Sequence, residues 1–398
     1  MTAPLGLSRK DKSHQVDALL IEEAIDLINV VGPDLFTITE LSRRSGLSTG
    51  AVYRRYDSSH DIFKHIWNEC WPFLREFAEA SYFGHSRSSD EFEYGISQFV
   101  KPSKRTRVAA LILTCSRRVP LIEQVVKQDL STFCKPTSAL NPVDVGLRFA
   151  SLSLTLGRCL LSEVVNIDED AIRNVALAMI GTPEVQDLIE LDVLPKTYAM
   201  VNQGQIDSEL LNAGISLISQ VGFEGMTTSR IARETGKPFS TYDKQFGNKD
   251  QLMVKVIGDL IGPILDFENQ MRDAQSSNES AIALLSWNAA ENATVRKLVA
   301  EEILVANTRD EIRKLVSDKY KDRAKVLTDL GLEGIEIVRG AWHFGNAYFV
   351  GMSSLGLLVP TFDMDFSGAI AALMLMRELV MESVLENAPT DSAPGQIL

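Results

Sequence analysis

Thr37-Ile38-Thr39-Glu40-Leu41-Ser42-Arg43-Arg44-Ser45-Gly46-Leu47-Ser48-Thr49-Gly50-Ala51-Val52-Tyr53-Arg54-Arg55-Tyr56 is the stretch that decides the fold. It opens with a capping box, in which Thr37 can accept from the amide three residues on and Glu40 can reach back. A short helix follows, with Ile38 and Leu41 inward and Arg43 and Arg44 outward. Gly46 tolerates the positive φ of a tight turn, and Ser48 can cap the helix that starts at Thr49. That second helix, expected over 49–56, is small at its start and basic at its end. Small first-turn residues let a helix N-terminus sit close to base edges in a major groove. Tyr53 can donate its hydroxyl to a phosphate, and Arg54 and Arg55 can neutralise the backbone. From Ser42 to Tyr56 there are four arginines and no acids.

Working outward, the same unit is written twice. Gly32 and Gly222 are 190 residues apart, as are Gly46 and Gly236. At that offset Gln15, Asp17 and Leu20 match Gln205, Asp207 and Leu210. Ile25, Leu27, Ile28 and Val31 meet Ile215, Leu217, Ile218 and Val221, while Thr37 and Arg43 meet Thr227 and Arg233. Further on, Ile112, Leu113 and Arg118 recur as Ile303, Leu304 and Arg309, with the offset drifting to 191. A repeat this long means one architecture used twice. Val16, Leu20, Ala24, Leu27, Ile28 and Val31 keep the spacing of one helical face. Gly32 suits the left-handed position after a helix end, with Pro33 just beyond. The spacing predicts further helices over 108–115, 120–133, 293–307 and 310–328, and almost nothing reads as strand. An all-α fold is expected, with the copies meeting somewhere in 183–205 and a disordered tail over 387–398.

Residues 37–56 resemble the helix-turn-helix of the TetR family of bacterial repressors. That family places a glycine at the turn, then Ser-x-Gly-x-(Leu/Val)-Tyr-x-x-(Phe/Tyr), then a Ser-Lys-(Glu/Asp)-x-Leu start to the next helix. Gly46, Ser48, Gly50, Val52, Tyr53, Tyr56, Ser58 and Ile62 match, and Ser59 stands where the family has lysine. The second copy, 227–246, resembles the family more weakly, through Gly236, Ser240, Tyr242, Phe246, Lys249, Asp250 and Leu252. There Asp243 replaces the phosphate-binding tyrosine, Arg230 removes the capping-box acid and Gln245 stands for Arg55; Pro238 opens the helix. Lys237, Lys244 and Lys249 partly offset the carboxylate. This unit either touches DNA or is a relic that keeps the fold.

The resemblance implies a sequence-specific regulator of transcription, usually a repressor, whose partner is double-stranded operator DNA. It implies DNA contacts from Thr37, Thr39, Arg43, Arg44, Ser48, Thr49, Gly50, Tyr53, Arg54, Arg55 and Tyr56 in the first copy. In the second copy the implied contacts are Thr227, Lys237, Ser240, Thr241, Tyr242, Lys244 and Lys249. Helix-turn-helix domains are expected over 14–74 and 205–264, helical ligand and interface domains over 75–183 and 265–386, and a linker over 184–204. Family members pair through their last two long helices. Here 142–167 with 168–180, and 331–359 with 366–385, have that character, so one chain is expected to form a monomeric pseudo-dimer.

Composition sets bounds on these expectations. The 398 residues carry a net charge of −13, so any DNA contact must come from a local cationic patch on an acidic body. Cys70, Cys115, Cys134 and Cys159 include no CxxC pair, and residues 1–12 lack an apolar signal core; a reducing, cytoplasmic setting is expected. Residues 340–362 carry no formal charge, yet they hold His343, Asn346 and several glycines and are broken by Pro360. A buried interface helix fits them better than a membrane span.

Residues 62–99 hold ten aromatics against two in 252–289. Trp67, Trp71, Phe77 and Phe92 are either core or, as the resemblance implies, the wall of an apolar small-molecule cavity. No HExxH, GxSxG or phosphate-cradling glycine loop supports an enzyme, and no cofactor is expected. The competing class is a helical interaction protein that has lost operator binding, which would fit the acidic charge.

Overall fold

The computed structural model describes residues 9–80, 89–135, 142–180, 209–241, 247–259, 287–288, 292–329, 331–359, 379–380 and 382–387. The expected copy boundary at 183–205, the linker at 184–204 and the tail beyond 387 lie outside them. Among the described residues every regular element is helical and none is a strand. In the first half these are α1 (Arg9–Val31), α2 (Ile38–Ser45), α3 (Thr49–Tyr53), α4 (Ser59–Ala80), α5 (Ser89–Val100), α6 (Lys104–Ser116), α7 (Pro120–Phe133), α8 (Pro142–Leu161) and α9 (Glu169–Ile180). In the second half they are α10 (Glu209–Gly225, broken at Gly222), α11 (Thr228–Thr235), a single 3₁₀ turn (Phe239–Thr241), α12 (Lys249–Asp259), α13 (Ala293–Ala306), α14 (Asp310–Asp329) and α15 (Glu336–Leu355).

The apolar face read along α1 is the one that packs. Leu20, Ala24, Leu27 and Ile28 are buried, with Val16 and Val31 half-buried at its edges. Each large side chain removed from water contributes about 1.5–3 kcal/mol. In the first half α1 lies on α2, α4 and α6, α6 lies on α7 and α8, and α4 lies on α7. In the second half α10 lies on α11, α12 and α13, α13 lies on α14 and α15, and α12 lies on α14. Each of these six contacts of one half has its counterpart in the other, while α4 also packs extensively on α6 and α8. One ion pair recurs with them: Arg118 Nη2 donates to Asp34 Oδ2 at 2.9 Å, and Arg309 Nε donates to Glu224 Oε1 at 3.1 Å. Both tie the end of a long first helix to the corner after α6 or α13.

The halves meet where α15 crosses α8 and α9, and α13 approaches α6 and α8. At the α8–α15 crossing, a Cβ on Gly157 would overlap the Ala347 carbonyl oxygen, and one on Gly351 would overlap that of Ser153. Gly157 and Gly351 are 194 residues apart, as are Ser153 and Ala347. The contact is therefore reciprocal, as a twofold relation between unlike sequences requires. Only glycine lets the two backbones approach this closely. A third close approach, Gly340 against the Ala171 carbonyl, joins α15 to α9. His343 Nε2 accepts from the Asp168 backbone N–H at 3.4 Å, and Arg339 Nε donates to Asp168 Oδ2 at 2.9 Å. The helix expected over 366–385 lies largely outside the described residues. Among the described residues no helix is long and apolar enough to cross a membrane, and 340–355 belongs to α15, buried throughout from Asn346 on.

Candidate nucleic-acid interface

Local chemistry builds the first helix-turn-helix as its residues suggest. Thr37 Oγ1 accepts from Glu40 N–H at 3.2 Å and starts α2, while Gly46 ends it at φ 69°. Ser48 Oγ accepts from Ala51 N–H at 3.2 Å and starts α3, and Val52 locks that helix to the core. Thr37, Thr39, Arg43, Ser48, Thr49, Gly50, Tyr53 and Arg54 are all exposed. Tyr53 is 55% exposed, an unusual amount for a large aromatic ring. Its hydroxyl, the Arg54 guanidinium and the small first turn of α3 together form a donor-rich exposed edge.

Several expected roles change once side-chain partners are in place. The helix expected over 49–56 ends at Tyr53, and 54–55 form a turn. Arg55 folds back, donating from Nε to Asp17 on α1 at 2.7 Å and from Nη1 to the Ala51 carbonyl at 3.2 Å. Its charge is used inside the domain. Tyr56 is 5% exposed and meets His65 edge-on, with burial pushing its hydroxyl up to about 12, so it anchors the core rather than a contact surface. Glu40 does not complete the capping box; it pairs with Arg43, whose Nε donates at 2.9 Å. Arg44 reaches Glu23 at 3.4 Å. Among the described residues Arg54 bonds the Gly50 carbonyl, at 3.1 Å, and pairs with no acid, so its charge stays available.

The second unit repeats the turn, and its surface is described as far as Thr241. Thr227 Oγ1 accepts from Arg230 N–H at 3.3 Å, and Gly236 ends α11 at φ 67°. Beyond Pro238 the chain makes one 3₁₀ turn, on which Ser240 and Thr241 are exposed. Lys237 pairs with Glu209. Lys249 turns inward, 3.2 Å from Glu224 and 4.2 Å from the centre of the Phe223 ring, which removes it from the expected contacts. Tyr242, Asp243 and Lys244 lie outside the described residues. Arg233, at the position of Arg43, is exposed as well and adds a cation to this unit that its offset of 190 from Arg43 could have pointed to.

The aromatic set of the first half packs as core. Trp67 and Phe77 are fully buried and Trp71 is 8% exposed, while Phe92 packs half-buried at the edge. Trp67 stacks on Trp71 at 5.2 Å and donates through Nε1 to Asp129 at 2.7 Å; Trp71 meets Phe133 edge-on. A cavity of about 540 Å³ opens elsewhere, between α1, the end of α3 and α4. His14, Asp17, Glu22, Arg55, His65 and Glu69 are among the residues lining it, and none of the four expected rings does. All four cysteines are buried, and burial pushes each thiol up to about 12, which makes them poor redox sensors. No family model matches this chain, and no curated protein matches it.

Proposed function

We propose that the chain is a sequence-specific DNA-binding regulator of transcription, of TetR type, built from two copies of one unit that pair within a single polypeptide. The observation that carries this reading is the exposed edge made by Thr49, Gly50, Tyr53 and Arg54 beyond the Gly46 turn. A capped helix that presents small residues first and a phenol and a guanidinium next fits a major groove flanked by phosphates. Pairing within the chain is supported by the recurring helix contacts and by the reciprocal Gly157–Ala347 and Gly351–Ser153 approaches. Repression is the sign that the resemblance implies. An apolar inducer at Trp67, Trp71, Phe77 and Phe92 is no part of the proposal, because three of these rings are packed to 8% exposure or less. Selection of bound sequences from a random duplex pool tests the reading. A consensus bound by the wild type and lost in the double variant Tyr53→Ala/Arg54→Ala would support it; no enrichment at low salt would sink it.

One observation favours a second reading, a helical interaction protein without operator binding: two of the second unit's lysines, Lys237 and Lys249, are neutralised by acids. Failure of the random-pool selection, together with capture of a partner protein dependent on 227–241, would select it.

A further inference from the structure

An asymmetric cluster lies at the foot of the two helix-turn-helix units. Glu301 on α13 is fully buried. Its Oε1 accepts from Arg117 Nη2 at 2.8 Å, its Oε2 accepts from the Phe223 backbone N–H at 3.2 Å, and Arg118 Nη1 stands 3.5 Å away. Arg117 also donates through Nη1 to the Ser219 carbonyl at 3.0 Å, and Arg118 holds Asp34 at 2.9 Å. Asp34 comes three residues before the cap of α2, and Phe223 four residues before the cap of α11. One carboxylate therefore grips both segments that lead into the units. Burial pushes the Glu301 pKa up, against the pull of Arg118 and Arg117.

Sequence offsets show that the grip is one-sided. At the 191-residue offset Glu301 corresponds to Ala110, and Arg117 to Thr308. Both corner glycines face the other half here, Gly32 closing on Thr308 and Gly222 on Arg118. The mirror position of the ion pair would then join Ala110 to Thr308, with no charge. Two first halves would bury Arg117 opposite an alanine, and two second halves would bury Glu301 opposite a threonine, with Arg309, the counterpart of Arg118, already held by Glu224 and Asp250. Either arrangement strands a charge away from water, which is strongly unfavourable. Only unlike halves satisfy both groups.

We propose that the Arg117–Arg118–Glu301 cluster is an ionic lock that specifies pairing of the unlike halves and thereby fixes the separation of the two helix-turn-helix units. Buried charge serves here as a registry device rather than as a source of stability. For operators the consequence is an inflexible half-site spacing; that consequence rests on the DNA-binding reading, whereas the lock itself does not.

Spin labels at Val30→Cys and Gln220→Cys, both exposed and equivalent at offset 190, report the separation by pulsed dipolar spectroscopy on the full chain. The native thiols are buried and stay unlabelled. A single narrow distance is expected in the otherwise native chain; a broad or multiple distribution there overturns the lock outright. Glu301→Gln keeps the shape and removes the charge, and should lose the narrow peak. Arg117→Met/Glu301→Leu removes both charges and should melt at least as high as Glu301→Gln while still lacking that peak. A narrow, unshifted distance in either variant that melts cooperatively means that shape alone sets the spacing, and the lock fails. On DNA, moving one half-site by a base pair turns it by about 34°. Such a change should weaken the native chain about tenfold and Glu301→Gln less than about threefold. A narrow distance with no DNA affinity would reject the DNA reading and leave the lock standing.

Discussion

The turns at Gly46 and Gly236 share a backbone and present different surfaces. Their φ values are 69° and 67°, and their threonine caps accept at 3.2 and 3.3 Å. After the first turn comes a serine-capped α-helix that displays Tyr53 and Arg54; after the second come Pro238 and one 3₁₀ turn. Buried residues such as Leu41 and Ile231 are held by packing in both copies. The exposed residues are held by no such constraint, and there the copies part. Equivalent positions of the two halves thus keep their type where the core requires it and diverge where they are exposed. The interface between the halves shows both behaviours at once, symmetric at Gly157 and Gly351 and asymmetric at Glu301.

The largest effect is expected where the two halves meet symmetrically. Gly157→Leu and Gly351→Leu each force a side chain into an opposing backbone and should lower stability by about 3 kcal/mol, the upper end of overpacking costs. Parallel falls in the urea midpoint would sustain the twofold relation, whereas a large loss in one variant and none in the other would end it. Next comes a titration confined to the second half. Burial, then repulsion from Arg158, lowers the His343 pKa to about 4. Between pH 6.5 and about 4 the unfolded chain binds the proton and the folded chain does not, so stability falls as the pH drops through that window and levels off below it. The shift corresponds to at most ~3 kcal/mol, less what solvent screening removes. The first half has Phe149 at this position, 194 residues earlier. His343→Phe should flatten that part of the pH–stability curve; an unchanged slope would assign it to other groups.

Smaller effects sharpen the contrast between the two surfaces. Arg54→Ala should weaken DNA binding a few-fold on every sequence and reduce the salt slope by about one. Arg55→Ala, next to it, should leave the salt slope unchanged and cost less than about 1 kcal/mol of stability, because its guanidinium is held by Asp17 at a half-exposed site. Equal salt slopes in the two variants would mean that Arg55 swings out to the backbone. The smallest expected change is for Lys249→Ala, which should leave affinity as it was; a loss comparable to that of Arg54→Ala would make the second unit an equal reader.

Much of the fold was legible in advance. The helices expected over 120–133, 293–307 and 310–328 form as Pro120–Phe133, Ala293–Ala306 and Asp310–Asp329, and both turn glycines adopt positive φ. The candidate interface was legible in part: Thr49, Gly50, Tyr53 and Arg54 are exposed as expected, whereas Arg55, Tyr56 and Lys249 are drawn inward. The aromatic crowding in 62–99 left core and cavity open, and three-dimensional packing decided for core at Trp67, Trp71 and Phe77. The glycine pair at the crossing was readable in principle, since its 194-residue offset continues the drift from 190 through 191.

By itself the sequence determined helix positions, caps, turns and the repeat, because these depend on torsional preferences and on spacings of three or four residues along the chain. Only the tertiary structure decided which charges remain free for a partner. Arg55 finds Asp17 across 38 residues, and Arg117 finds Glu301 across 184. Ion pairing follows distance through space, and an arginine that has a buried or half-buried carboxylate within 3 Å is no longer available to a phosphate. Local sequence carries no record of which neighbour folding will bring there.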